Sequence, residues 1–321
     1  MTDSLARARR ALAAAGLSPD APLERTWSYA SETWLGDGFV LRVNHRGDIG
    51  RLAREALLAT RLPPEARHPG VLGHGRAGEL EWLLLPRVRG ANLSHVWHDL
   101  DQAGRERAAR ELASALRAMH GVDGPDLPRD EDMAPPHVLP LDRMLAQLAQ
   151  LASPAGEGAI DAGLAGEIEA YARERWPAFD GAGVGLVHGD PHLENVLWDG
   201  EHVAALLDLD WSRRSWIEVD LEILLAFCRQ PFLFVAEEDE DRALAADYEA
   251  FPGWLEAEYP AWFAHPRLGD RLALLGVSRA LGSLEDVPPG PRPADPDDPR
   301  DPRNHLTAAL ADKRPSGGAG L

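Results

Sequence analysis

Lysine is almost missing from this chain: Lys313 is the only one among 321 residues, so a site that calls for a basic side chain has to use arginine or histidine. Cysteine is as scarce. Cys228 stands alone, which excludes an internal disulfide, and its place in the apolar run 224–227 reads as a buried thiol rather than a reactive one. No apolar run approaches the roughly 20 residues that span a bilayer. The first 22 residues alternate Arg with Ala and Leu and lack the unbroken apolar core of a secretory signal, so a soluble, cytoplasmic protein without a membrane partner is expected. Positive charge is in short supply overall, with 33 Lys and Arg against 52 Asp and Glu and a net charge of −19. That excludes a nucleic-acid backbone as partner, since such backbones are met by clustered cations. Cationic small molecules or metal–nucleotide complexes are easier to accommodate.

The length suits one large domain or two modest lobes, at roughly 100–200 residues per domain. Helical spacing of Leu5, Ala8, Ala11, Leu12 and Ala15 predicts a helix ending at Gly16. Strands are expected at 29–35 and 39–43 around Gly36-Asp37-Gly38, then a helix from Asp48 to Leu62, then strands at 71–76 and 81–88. From Leu93 the pattern turns helical, with segments at 105–120, 141–151, 164–176, 221–227, 241–249 and 271–284. The Pro/Asp-rich run 287–303 reads as an exposed loop, and 316–321 as a disordered tail. The organisation is α+β: an N-terminal lobe over 1–86 with a helical extension at 1–24, a link at 87–90, a mostly helical lobe over 91–285, and a loop and flexible tail over 286–321.

The densest chemistry lies in 187–211, VHGDPHLENVLWDGEHVAALLDLDW. Val196-Leu197-Trp198 and 203–207 read as two strands of a hairpin around Asp199-Gly200, which folds Asp208 back toward Asp190 and Asn195. Two carboxylates and an amide are hard oxygen donors that suit Mg²⁺ rather than zinc. Phosphoryl transfer needs such a set together with an acceptor-orienting base. His188, two positions before Asp190, braces the loop in this reading, while His192 and His202 read as polar loop residues.

The stretch resembles the HxDxxxxN motif of the aminoglycoside phosphotransferase and choline kinase family, small-molecule kinases with a protein-kinase-like two-lobed fold, and the resemblance extends over most of 25–285. It implies Asp190 as catalytic base, Asn195 and Asp208 as Mg²⁺ ligands, Asp210 as a further ligand or hydrogen-bond acceptor, and Asp220 as support for the loop. In the N-terminal lobe it implies Arg42 in the place of the phosphate-contacting lysine, with Glu55 as its ion-pair partner. The substitution keeps the charge, although arginine and lysine are not equivalent. The phosphate-covering loop is a second departure: 28–33 has no glycine, which leaves backbone N–H groups with Ser28 and Ser31 for phosphate contact. Pro86 and Val88, on the link between lobes, would offer backbone groups to the purine. The nucleotide implied is ATP, with GTP as the alternative.

For the acceptor the sequence says less. The acidic run 237–241, with Glu237 and Glu238, could draw a cationic acceptor of the aminoglycoside kind, and Trp211 and Trp216 could line its pocket; a solvated helix end and core packing are the plainer readings. An antibiotic-resistance enzyme and a metabolic or natural-product kinase for an amino alcohol, sugar or peptide antibiotic both fit, as monomer or homodimer. Outside the class stand a non-catalytic nucleotide-binding module and a metal-dependent phosphoesterase, the latter wanting a His cluster that the sequence does not supply.

Overall fold

The computed structural model describes residues 2–26, 28, 31–133, 136–153, 159–284, 295 and 298–311. It opens on helix α1 (Thr2–Ala14), followed by β1 (Glu24–Thr26), β2 (Glu32–Leu35), β3 (Phe39–Asn44), helix α2 (Arg51–Ala59), β4 (Gly73–Ala77) and β5 (Leu80–Pro86). The five strands form one antiparallel sheet in the order β1-β2-β3-β5-β4. Strand alternation decides what each face holds. Leu41 and Val43 of β3 pack with Ala8, Ala11 and Leu12 of α1 on one face. Arg42, between them, turns to the other face, where Leu83 and Leu85 pack against Leu52 and Ala56 of α2.

The second lobe contains β6 (Ala91–Asn92), α3 (Leu93–Val96), α4 (Gln102–His120), α5 (Leu141–Ala152), α6 (Ala162–Arg175), β7 (Val184–Val187), β8 (Val196–Trp198), β9 (Val203–Leu206), β10 (Arg213–Trp216), α7 (Glu218–Arg229), α8 (Phe251–Glu258), α9 (Pro260–Phe263), α10 (Leu268–Ser283) and α11 (Pro302–Ala311). Strand β8 lies between β6 and β9, and β7 pairs antiparallel with β10. One apolar core gathers α4, α7 and α8 around Leu112, Leu116, Leu224 and Phe251. A second gathers α5, α6 and α10 around Leu148, Ile168, Leu274 and Leu281. This is the expected α+β architecture of a small sheet lobe and a larger helical lobe. Among the described residues, no helix is long and apolar enough to cross a membrane.

Several boundaries differ from expectation for identifiable reasons. Helix α2 starts at Arg51, not Asp48, because Gly50 at φ 124° is outside helical space; Glu81 of β5 then caps it by accepting from Gly50 N (3.1 Å) and Ala53 N (2.8 Å). The segment 241–249 is not an α-helix but two short 3-10 turns, Glu237–Arg242 and Ala245–Tyr248. Tertiary contacts claim its backbone: the Asp247 carbonyl accepts from Trp97 Nε1 at 3.0 Å, and Tyr248 stacks on Trp97 with centroids 5.2 Å apart. The C-terminal segment expected as loop and tail contains α11, whose fully buried Leu306 joins the core of α6 and α10. Tyr29 and Ala30 of the expected first strand, most of 287–303 and the tail 316–321 lie outside the described residues.

Candidate active site

Arg42 is the link between the lobes. Its Nη1 donates to Glu55 Oε2 at 2.5 Å, its Nε to the Ser31 hydroxyl at 3.2 Å, and its Nη2 reaches Asp208 Oδ1 at 3.4 Å and Asp210 Oδ2 at 3.2 Å. Burial alone would lower its affinity for a proton; the surrounding Asp208, Glu55 and Asp210 more than reverse that and hold the guanidinium well above its usual range. Burial also pushes the Asp210 carboxyl up, whereas on Asp208 burial is outweighed by Arg42 together with the Asp210 N–H and Arg51, and the carboxyl is held below its usual value. Arg51, at the first position of α2, adds a second cation 3.3 Å from Asp210. The sequence reading missed Arg51; its signal was position, one turn before Glu55 on the same helix face.

The second half is a loop held in place from beneath. Strand β7 ends at Val187, and His188 and Gly189 donate their backbone N–H groups to Asp220 Oδ2 (2.8 Å) and Oδ1 (2.7 Å). Asp220, in the first turn of α7, also pairs with His120 Nε2 at 3.0 Å and is fully buried. Burial would raise its carboxyl; the hydrogen bonds from His120 and the Gly189 N–H help to reverse that, and the carboxyl lies below its usual value. Gly189 sits at φ 83°, and a Cβ there would run into the Trp211 carbonyl, so only glycine serves. His188 spans the loop: Nε2 lies 2.9 Å from the Leu207 carbonyl, while Nδ1 accepts from Asp190 N at 3.3 Å. Burial lowers its pKa, consistent with a neutral imidazole in both contacts.

Asp190 follows. Its Oδ2 accepts from Asn195 Nδ2 at 3.3 Å and lies 3.2 Å from His192 Nε2, while no described residue hydrogen-bonds Oδ1. His192 is thus a polar loop residue, as the sequence suggested, and also a neighbour of Asp190. Burial would lower its pKa, but Asp190 outweighs burial and raises it. Asn195 stands in a 3-10 turn (Leu193–Asn195) rather than at a strand start, and Nδ2 also donates to the Asp190 carbonyl at 2.8 Å. The hairpin of β8 and β9 forms as expected, with Asp199-Gly200 in its turn; the Leu207 N–H donates to the Asn195 carbonyl at 2.8 Å, and Asp208 follows at φ 64°, a left-handed conformation that Asp tolerates better than most residues.

The structure thus gathers Arg42, Glu55, Asp208 and Asp210 into one cluster and Asp190 with Asn195 into an adjoining one. The remaining expected residues spread out. Ser31 binds Arg42, and Ser28 is partly buried. Pro86 closes the β3–β5 ladder opposite Phe39, and Val88 lies just beyond it on the link. Trp211 contributes its carbonyl to Arg213 Nη1 at 2.9 Å, and Trp216 stacks on Phe179 with centroids 4.2 Å apart, a packing role. Glu237 and Glu238 are exposed.

The donor set fits Mg²⁺. Carboxylate oxygens of Glu55, Asp208 and Asp210 lie within 4.8 Å of one another, Asp210 Oδ1 is buried without a hydrogen bond, and Asn195, donating through Nδ2, keeps Oδ1 as a hard donor. Beside Asp190 opens a cavity of about 300 Å³ walled by α7, α10, the turn at 231–234 and the start of α11.

Comparison with known proteins settles the family, because the model described as the phosphotransferase enzyme family matches residues 24–262. The chain belongs to that family. No curated protein sequence matches this phosphotransferase. Solved structures do. An aminoglycoside phosphotransferase from Streptomyces rimosus is 18% identical, with a TM-score of 0.55 over 82% of this chain and 94% of its own. A choline/ethanolamine kinase family protein from Mesorhizobium loti is 19% identical, with a TM-score of 0.59 over 97% and 93%. A thermostable mutant of aminoglycoside phosphotransferase APH(4)-Ia, solved as a ternary complex with AMP-PNP and hygromycin B, is 16% identical with a TM-score of 0.60 over 98% and 99%. At these identities the likeness is one of fold, and it agrees with the two-lobed phosphotransferase architecture.

Proposed function

We propose that this phosphotransferase is a small-molecule kinase that moves the γ-phosphate of ATP or GTP onto a hydroxyl group, with Mg²⁺ as cofactor. The observation that carries the reading is the placement of Asp190 between the charged cluster and the cavity. Asn195 and His192 both engage Oδ2, which leaves Oδ1 to accept the proton of an acceptor hydroxyl. As the acceptor's hydroxyl oxygen bonds to phosphorus, the bond from phosphorus to the bridging oxygen of the nucleotide diphosphate breaks and the diphosphate leaves. Arg42, fixed by Glu55, contacts the phosphates, and Arg51 adds charge from the same helix. Asn195, Asp208 and Asp210 would hold Mg²⁺, which when bound neutralises phosphate charge. Pro86 and Val88 meet the purine through their backbone.

Two competing readings lose support. A non-catalytic module would not need all three of Asp190, Asn195 and Asp208, and a phosphoesterase site would want histidines in the carboxylate cluster, which among the described residues has none. The reading of a cationic, aminoglycoside-like acceptor rests on the net charge of −19 and the names of the structural neighbours. The acidic run adds little to it: Asp239 lies 3.5 Å from His95, and Glu240 is engaged by Arg300. The deciding experiment is Asp190→Asn. Acceptor-dependent release of ADP or GDP should fall roughly 10²–10⁴-fold, the range for losing a general base, while titration with a fluorescent Mg²⁺–nucleotide shows binding retained. Unchanged turnover would sink the proposal.

A further inference from the structure

We infer that the acceptor carries an anionic group, a carboxylate or a phosphate, on an apolar body beside the hydroxyl that is phosphorylated. This deepens the phosphotransfer reading and rests on it. The cavity next to Asp190 measures about 300 Å³, at the lower end of the roughly 300–1,000 Å³ of small-ligand pockets. Its wall has a definite sign. Among the described residues Asp190 is its only carboxylate, whereas Arg279 and Arg300 line it, together with His305, whose imidazole is shifted by burial toward the neutral form. Ile223 and Phe234 supply an apolar side. A polycationic acceptor needs carboxylates facing it, and here the wall offers two arginines against one carboxylate.

The arginines are held so as to keep donors in reserve. Arg279, on α10, forks onto buried Glu222 of α7 through Nε (3.0 Å to Oε2) and Nη2 (3.2 Å to Oε1), and its Nη1 makes no hydrogen bond among the described residues. Glu222 does not line the cavity; it sits behind the arginine, with His137 Nε2 3.1 Å away on its Oε2. Arg300 is arranged alike: Nη2 goes to Glu240, which lies outside the wall, the guanidinium covers the ring of Phe232 at 5.4 Å, and Nε and Nη1 make no hydrogen bond among the described residues. Each arginine lines the cavity while its carboxylate partner stands outside the wall, Arg279 through two nitrogens and Arg300 through one, and each keeps N–H groups unengaged among the described residues, which suits recognition of an anion by arginine. The two arginines come from segments 21 residues apart in sequence, α10 and the turn before α11.

The test uses the full chain with Mg²⁺ATP and Mg²⁺GTP and matched acceptors: an aromatic or branched hydroxy acid, its methyl ester, the corresponding amino alcohol, a hydroxyalkyl phosphate and an aminoglycoside. Acceptor-dependent diphosphate release is read together with calorimetric titration of each acceptor into the Mg²⁺AMP-PNP-loaded protein. A charge-assisted hydrogen bond of roughly 1.5–3 kcal/mol predicts that an anionic acceptor surpasses its neutral ester by about tenfold or more in kcat/KM. R279Q and R300Q should each bring that ratio toward one, chiefly through KM. Arg300 is about half exposed, so R300Q tests the idea even if R279Q, which strips Glu222 of a partner, folds poorly. Whichever of carboxylate and phosphate binds more tightly identifies the anion. The inference is overturned if the ester, amino alcohol or aminoglycoside equals or surpasses the acids, or if no anion binds the loaded protein at up to about 10 mM, weaker than roughly 3 kcal/mol of affinity. Arginine-dependent anion binding with no transfer to any acceptor would uphold the anion pocket and overturn the phosphotransfer reading instead.

Discussion

His192 illustrates how much a single residue's role depends on context that lies outside its local pattern. In sequence it is one of two loop histidines; in the structure its Nε2 meets Asp190 Oδ2 at 3.2 Å, its ring sits against Phe234 at 5.5 Å, and its Nδ1 is buried without a partner. On the proposed mechanism it is a positioning residue, holding one carboxylate oxygen so that the other is left to the acceptor. His192→Ala should therefore lower kcat by about 10²-fold, the scale of a misplaced reacting group, with nucleotide affinity and melting temperature close to those of the unaltered protein. His192→Gln, which restores a donor, should recover part of the rate, a recovery that a packing role alone would not give. Arg42 makes the complementary point. Lysine, with one ammonium, could not serve Ser31, Glu55 and the Asp208–Asp210 pair from three separate nitrogens as the guanidinium does. In this chain the arginine is a structural junction as well as a charge.

At the scale of elements, α7 braces the loop after β7 through one side chain. Asp220 accepts from two backbone N–H groups and pairs with His120, all in a dry interior. Asp220→Ala leaves these groups without their acceptor, at a cost of about 3–5 kcal/mol. That should appear in thermal unfolding as a drop of roughly 10 °C; a melting point unmoved by the substitution would show the brace to be idle. The hairpin, the sheet lobe and the pairing of Asp190 with Asn195 were legible in advance because each rests on local signals: Asp-Gly at a turn, alternation on a strand, fixed spacing in a motif. What was not legible depends on distant partners. Glu81 caps α2 from another element, and Trp97 fixes the backbone of 241–249 from a distance, its indole donating to the Asp247 carbonyl. Helix α11 was hidden differently. Its start reads as a breaker, yet Asp301 accepts from Arg303 N at 3.0 Å and Pro302 takes the first helical position, where its missing N–H costs nothing.

For the molecule as a whole, acid stability should be governed in part by the buried group behind the cavity. Burial would raise Glu222, but Arg279 and His137 prevail and hold its carboxyl down to about 2, below the ordinary 4.5. A depressed carboxylate contributes stability that is complete above about 4.5 and is lost as the pH falls through about 2. The contribution is about 3 kcal/mol at roughly 1.4 kcal/mol per pH unit. His137 acts in the same direction: burial lowers its pKa, so its unfolded form gains a proton first on acidification. Urea unfolding of the unaltered chain and of Glu222→Gln from pH 7 to pH 3 should show a gap that narrows below about pH 4.5. A gap constant across that range would contradict the assignment.

The junction at Arg42 also bears on which anions the cleft admits. Its guanidinium already has Glu55, Asp208 and Asp210 around it, so an incoming anion must outcompete carboxylates that are fixed in place. Coulomb attraction grows with the charge of the newcomer while the carboxylates' hold stays constant. On the proposed reading the cleft would therefore favour anions by valence, a polyphosphate over chloride or a monoester. Selection of a nucleotide by its tail would then precede any contact with its base.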